Sequence, residues 1–346
     1  AAQDRWRAQL EAEPTRFMQR DYLPAVTSAS AALARFLGAD AEDLVFVENA
    51  TGGVNAVLRS LDFAAGDELL TTTHVYPAVR NAMRLVAARA GARIVEAPVP
   101  YPLTDPEAAT RVFAGHLTSR TRLVVIDLVT SPTALLLPVA EMAKAARAKG
   151  AKVLVDAAHA PGMVDLDVTA LEADWVTGNA HKWLFAPKGT AFLWAARGAQ
   201  RGLHPTVVSH GFEQGFHAEF DWVGTRDPSG WLSIGAALDF YREQGDGAIR
   251  AHNRALANRA ADLLADALKS RQGQSPECRG ALATVRLPGT EGRDRAAGLA
   301  LNDRLWREHG IEVPIIPFAN ALWVRVSAQI YNELSDYEKL AAALAR

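Results

Sequence analysis

An apolar strand that stops abruptly on a carboxylate, followed closely by a lysine in a tight turn, constrains this chain more than any other feature. Val153-Leu154-Val155-Asp156 is a continuous apolar run, the pattern of a strand covered on both faces of a parallel sheet. Ligands of open parallel sheets lie beyond the carboxyl ends of strands, so Asp156 is expected to face a binding crevice. Twenty-six residues later comes Lys182, within Gly178-Asn179-Ala180-His181-Lys182-Trp183-Leu184. Residues 173–177 and 190–194 read as strands on either side of it. A lysine on a short connection inside a core is partly desolvated. Its pKa falls, and its amine becomes a usable nucleophile toward an aldehyde.

The same grammar recurs along the chain. Apolar runs at 44–47, 67–71, 93–98 and 122–127 alternate with helical patterns at 54–61, 105–117 and 138–149, which predicts an α/β fold. We expect a large domain with a central, mostly parallel sheet flanked by helices at 38–235, and a small C-terminal α+β domain at 236–346. A helical segment at 1–37 is expected to pack on the small domain. The 346 residues, 49% of them hydrophobic, suffice for two lobes. A formal net charge of −2 gives no attraction to nucleic acid or anionic lipid. No apolar run reaches membrane-spanning length, and a single cysteine, Cys278, rules out an internal disulfide framework. Cytoplasmic residence and no bound metal are the expectations.

A lysine to form a Schiff base and an aspartate to pair with a pyridinium nitrogen are the protein's two main parts for pyridoxal 5'-phosphate chemistry. Asp156-Ala-Ala-His159 and Asn179-Ala-His181-Lys182 resemble the class V aminotransferase family of such enzymes (fold type I, aspartate aminotransferase-like). His181-Lys-Trp-Leu-Phe-Ala-Pro187 and Arg325-Val-Ser-Ala-Gln-Ile-Tyr331 are most similar to its isopenicillin N epimerase-like branch. The resemblance runs from about Arg16 to the C-terminus. In that family a glycine-containing segment precedes the first helices, so the sequence is expected to be trimmed.

Small residues opening a helix expose backbone amides, and Thr51-Gly52-Gly53 reads either as a phosphate cup or as an ordinary N-cap. With Asp156 and Lys182 downstream we expect the cup: the Thr51 hydroxyl with the Gly52 and Gly53 amides. The resemblance implies His74 stacked on the cofactor ring, with Tyr76 as the alternative cover or a substrate-facing group. It implies Ser131 near the phenolic oxygen, where many relatives carry asparagine. His159 is expected to bond that oxygen or to support Asp156; Asn179 and His181 are expected to reach the phosphate, with simple packing against Lys182 the alternative for His181. The resemblance further implies that Gly224-Thr225 serves the neighbouring site of a homodimer and that Arg325 binds a substrate carboxylate. Arg226 is expected to meet a distal acidic group.

Cysteine desulfurases of this family need a nucleophilic cysteine shortly before the carboxylate-binding arginine, and residues 311–322 contain none. The expected reaction is epimerisation at the α-carbon of an amino acid or an amino-acid-containing peptide. The alternatives are a C–S β-lyase acting on a cysteine conjugate or sulfoxide, an aminotransferase, and a catalytically silent dimer of the same fold.

Overall fold

The computed structural model describes residues 1–345. Seven strands form the larger sheet: β1 (Leu44–Val47), β2 (Glu68–Thr72), β3 (Arg93–Ala97), β4 (Thr121–Asp127), β5 (Lys152–Asp156), β6 (Trp175–Asn179) and β7 (Ala191–Ala195). Their spatial order is β1-β7-β6-β5-β4-β2-β3. The pairs from β3 to β6 are parallel, whereas β7 runs antiparallel to both β6 and β1. Alternation decides the faces, because successive side chains of a strand point oppositely. Val45, Leu69, Leu123, Val125 and Leu154 pack under the helices Ala50–Ser60 and Pro77–Ala90. Phe46, Leu70, Val124, Ile126 and Val155 face the other way, onto Pro106–Ala114 and Val139–Arg147.

The strand order reverses between β2 and β4. From β2 the chain moves outward to β3; from β4 it moves the opposite way, through β5 to β6. Connecting loops diverge at such a point and leave a crevice at the carboxyl ends of the two strands. Tyr76 follows β2 there, and Asp127 ends β4.

A second sheet, β8 (Leu282–Arg286), β10 (Ala321–Ser327) and β9 (Ile315–Phe318), is antiparallel throughout. Its apolar face packs on the long helix Asp246–Ala267 and the helix Leu334–Leu344. Residues 1–37 meet the expected small domain through its first helix, Ile234–Glu243, where Phe36 packs edge-on to Tyr241, and not through its sheet. Leu10, Phe17, Tyr22, Val26 and Leu33 join the core of the seven-stranded sheet, with Trp231 and Tyr241, and none enters the core of the small sheet. Tyr22 Oη donates to the Asp221 carbonyl at 2.6 Å, and Gln3 Nε2 to Ser229 Oγ at 3.2 Å. The apolar stripe of the helix Tyr22–Phe36 matched a surface that local sequence could not reveal.

Candidate active site

A cavity of about 420 Å³ opens at the carboxyl ends of β4, β5 and β6, walled by Thr51, Tyr76, Asp127, Asp156, His159 and Lys182 among others. Asp156 stands at the last position of β5, buried, with Oδ1 accepting from Ala158 N–H at 2.9 Å. Burial raises its pKa, opposed by that amide and by the Lys182 charge. Lys182 sits on the single helical turn Ala180–Trp183, immediately after β6. Desolvation is the main reason its pKa is lowered; Asp156 pulls the other way and Arg325 adds to the lowering.

His159 explains how that lysine is held. Trp183 Nε1–H donates to His159 Nδ1 at 3.2 Å, and His159 Nε2 lies 3.1 Å from Lys182 Nζ. An indole nitrogen only donates, so Nδ1 must be the acceptor, and a neutral ring then carries its proton on Nε2. Nε2–H can donate only to a lone pair, and Lys182 has one only as a neutral amine. Burial also drives the His159 pKa well below its ordinary value, followed by repulsion from Lys182 and Arg325. Desolvation lowers both pKa values, and this tautomer offers the Lys182 amine a donor that its unprotonated form can accept.

At the other end of the cavity, Asn179 Oδ1 accepts from Ala50 N–H at 2.8 Å, tying β6 to the start of the helix Ala50–Ser60. His181 Nδ1 lies 2.8 Å from the Thr190 carbonyl, so it carries the proton and Nε2 is left as acceptor. The glycine cup is corrected. Gly52 N–H is taken by Asn49 Oδ1 at 2.9 Å and Gly53 N–H by the Asn49 carbonyl at 3.2 Å, and neither residue lines the cavity. Gly53 is glycine for another reason: a Cβ there would lie 2.2 Å from Thr177 Oγ1, so the helix rests directly on β6. Thr51 lines the cavity, and its N–H has no partner among the described residues. A helix N-terminus with a free amide suits a phosphate.

The histidine after β2 is also corrected. His74 is fully buried, with Nε2–H donating to the Val99 carbonyl at 2.9 Å and Nδ1 2.7 Å from Thr133 Oγ1. Burial pushes its pKa down to about 4, and its ring packs on Phe318 at 4.6 Å. It pins three segments together outside the cavity. Tyr76 lines the wall in its place.

Arg325 projects from β10 toward the loop after β4, where its Nη1 donates to the Ser131 carbonyl and to Ser131 Oγ at 3.2 Å. Its Nε is buried without a partner among the described residues. Ser131 and Tyr76 are shared by the first cavity and a second, of about 600 Å³, that Arg325 lines. Arg226 lies elsewhere, paired with Glu48 at 2.5 Å and stacked 4.0 Å over Trp231. Thr225 is exposed and does not line its own chain's cavity. Asp127 is the residue that sequence reasoning missed: buried, in register beside Asp156, and part of the wall. An apolar strand ending on a carboxylate was its signal, the same one that marked Asp156.

These residues fit pyridoxal 5'-phosphate: a free helix amide for the phosphate, a desolvated lysine for the aldehyde and a buried carboxylate for the ring nitrogen. Likeness to known proteins decides the family. The aminotransferase class-V family model matches residues 13–340. The chain belongs to the aminotransferase class-V family. Among class V relatives it is 36% identical to the isopenicillin N epimerase of Streptomyces clavuligerus, covering 98% of this chain and 88% of that one. It is 31% identical to the L-cysteine desulfhydrase of Arabidopsis thaliana, covering 99% and 83%. A solved structure of the cystine C–S lyase C-DES with its product cysteine persulfide shares the fold at TM-score 0.82 and 23% identity, covering 99% and 92%. The class V assignment makes this a pyridoxal 5'-phosphate enzyme of isomerase, lyase or transferase type. No described helix is long and apolar enough to cross a membrane.

Proposed function

We propose that this enzyme epimerises the α-carbon of an amino acid, or of a peptide containing one, whose side chain is larger than that of cysteine. The observation that carries this reading is the second cavity. Arg325 is placed to take the α-carboxylate through paired hydrogen bonds. Arg325 itself lines a cavity of about 600 Å³ whose wall includes Pro77, Leu299, Ile316, Pro317 and Phe318. A substrate as small as cysteine has no use for that volume.

When bound, the cofactor withdraws electrons from the α-carbon and makes its proton removable. The chain's own task is to move that proton. Lys182, its pKa lowered by burial and its amine 3.1 Å from His159 Nε2, is a base for one face. Tyr76, on the wall common to both cavities, is the group for the opposite face. Cys278 is fully buried, and desolvation raises its thiol pKa, so it is an inert structural residue rather than a sulfur carrier.

The test is incubation of the holoenzyme with a panel of amino acids and short peptides in heavy water. The expected result is α-deuterium incorporation with inversion, strongest for long side chains and without pyruvate release. Release of pyruvate from cysteine derivatives, with no exchange in uncleaved substrate, would replace this reading with the C–S lyase that the desulfhydrase relatives favour. A homodimer in which Gly224-Thr225 completes the neighbouring phosphate site is part of the same proposal. It is supported by the exposure of Thr225 and the left-handed Gly224 before it (φ 112°). Sedimentation of the holoenzyme as a monomer would remove it.

A further inference from the structure

Asp127 and Asp156 end adjacent parallel strands in direct register, at 2% and 3% exposure. They differ in what surrounds them. Asp156 has the Ala158 amide and the nearby Lys182 charge. Asp127 has one long hydrogen bond, from Tyr76 N–H to Oδ1 at 3.3 Å, while Oδ2 is buried with no partner among the described residues. The charged or titratable groups facing Asp127 are Asp156 from β5, Lys182 from the turn after β6, and Arg80 from the helix Pro77–Ala90. Arg80 is already bound through two nitrogens to Glu96, at 2.8 and 3.0 Å.

We propose that the two carboxyls act as a pair carrying one proton, held on Asp127, so that Asp156 alone presents a negative charge to the ring nitrogen of the cofactor. Two carboxylates side by side in a dry pocket cannot both ionise at modest cost, and the member with fewer donors keeps the proton. Burial and the Asp156 charge push the Asp127 pKa well above the carboxylate range, in agreement with the geometry. An orphan carboxyl oxygen is less costly to bury when the group is neutral than when it carries the charge, so the lack of a partner at Oδ2 favours the proton on Asp127. Asp127 is thus a positioning residue acting through Asp156. The pair's single net charge matches one pyridinium, whichever reaction follows at the α-carbon; the inference rests on the cofactor and not on epimerisation.

The test is infrared spectroscopy of the holoenzyme carrying ¹³C-carboxyl aspartate, with Asp127→Asn and Asp127→Glu variants. The expected result is a protonated-carboxyl band at neutral pH that shifts with the ¹³C label and with deuterium oxide. It should vanish in Asp127→Asn and lose its response to the aspartate label in Asp127→Glu, so either variant suffices if the other fails to fold. In parallel, Asp127→Asn should bind pyridoxal phosphate within about tenfold of the parent, because it preserves the neutral state. Asp156→Asn, which leaves a buried cation unpaired, should weaken binding by about a hundredfold or more. Absence of the band, its persistence in Asp127→Asn, or a loss of cofactor in Asp127→Asn equal to that in Asp156→Asn would overturn the pair.

Discussion

Lys182→Ala is expected to reduce turnover by about 10⁴-fold or more, because it removes both the covalent tether and the base in one substitution. The long-wavelength absorbance of the lysine-bound cofactor should disappear in the same variant, although pyridoxal phosphate can still enter the cavity. The parent protein offers a complementary check. Burial lowers the Lys182 pKa from its ordinary value, so the amine is protonated only below a depressed pKa. Cofactor capture should slow as pH falls through that value and stay level above it. A capture rate that rises only near the pKa of a free lysine, or parental absorbance in the Lys182→Ala variant, would show that Lys182 is not the tether.

Asp156→Ala is the second large effect. With Asp127 protonated as proposed, the carboxylate at the end of β5 is the buried negative charge offered to a ring nitrogen, and deleting one partner of a buried pair costs about 3–5 kcal/mol. Pyridoxal phosphate should therefore bind about 10²–10³-fold more weakly. Cofactor that does bind should carry an unprotonated ring nitrogen, visible by ¹⁵N NMR of labelled pyridoxal phosphate. Turnover should fall even at saturating cofactor, since an unprotonated ring is a poorer electron sink. Parental affinity together with a protonated ring nitrogen would remove Asp156 from the site.

Residues that interrupt an apolar pattern were the ones that could be read from sequence. Asp156 ends one apolar strand and Lys182 lies on the short turn after the next, and the structure puts both on one cavity wall. Asp127 obeys the same rule and was passed over, because its strand was read for its core and not for how it ends. The choice between His74 and Tyr76 depended on Thr133 and Val99, which are distant in sequence and take the histidine out of play. Gly52-Gly53 looked like a ligand loop, but its second glycine answers to Thr177 on another strand. The Arg226 guanidinium is claimed by Glu48 and Trp231, neither adjacent in the chain. In each case composition named the chemistry, and long-range packing assigned it to one neighbour rather than another.

The link from Arg325 to Ser131 joins the small sheet to the loop after β4 across 194 positions of chain. Its backbone carbonyl partner is an internal surrogate for a carboxylate oxygen. If Arg325 takes the substrate carboxylate as proposed, the substrate does not dock onto a free cation; it displaces a resident acceptor and takes over a guanidinium already aimed. On that proposal recognition becomes an exchange of ligands at one fork, won only by a molecule offering a stronger acceptor than an amide oxygen.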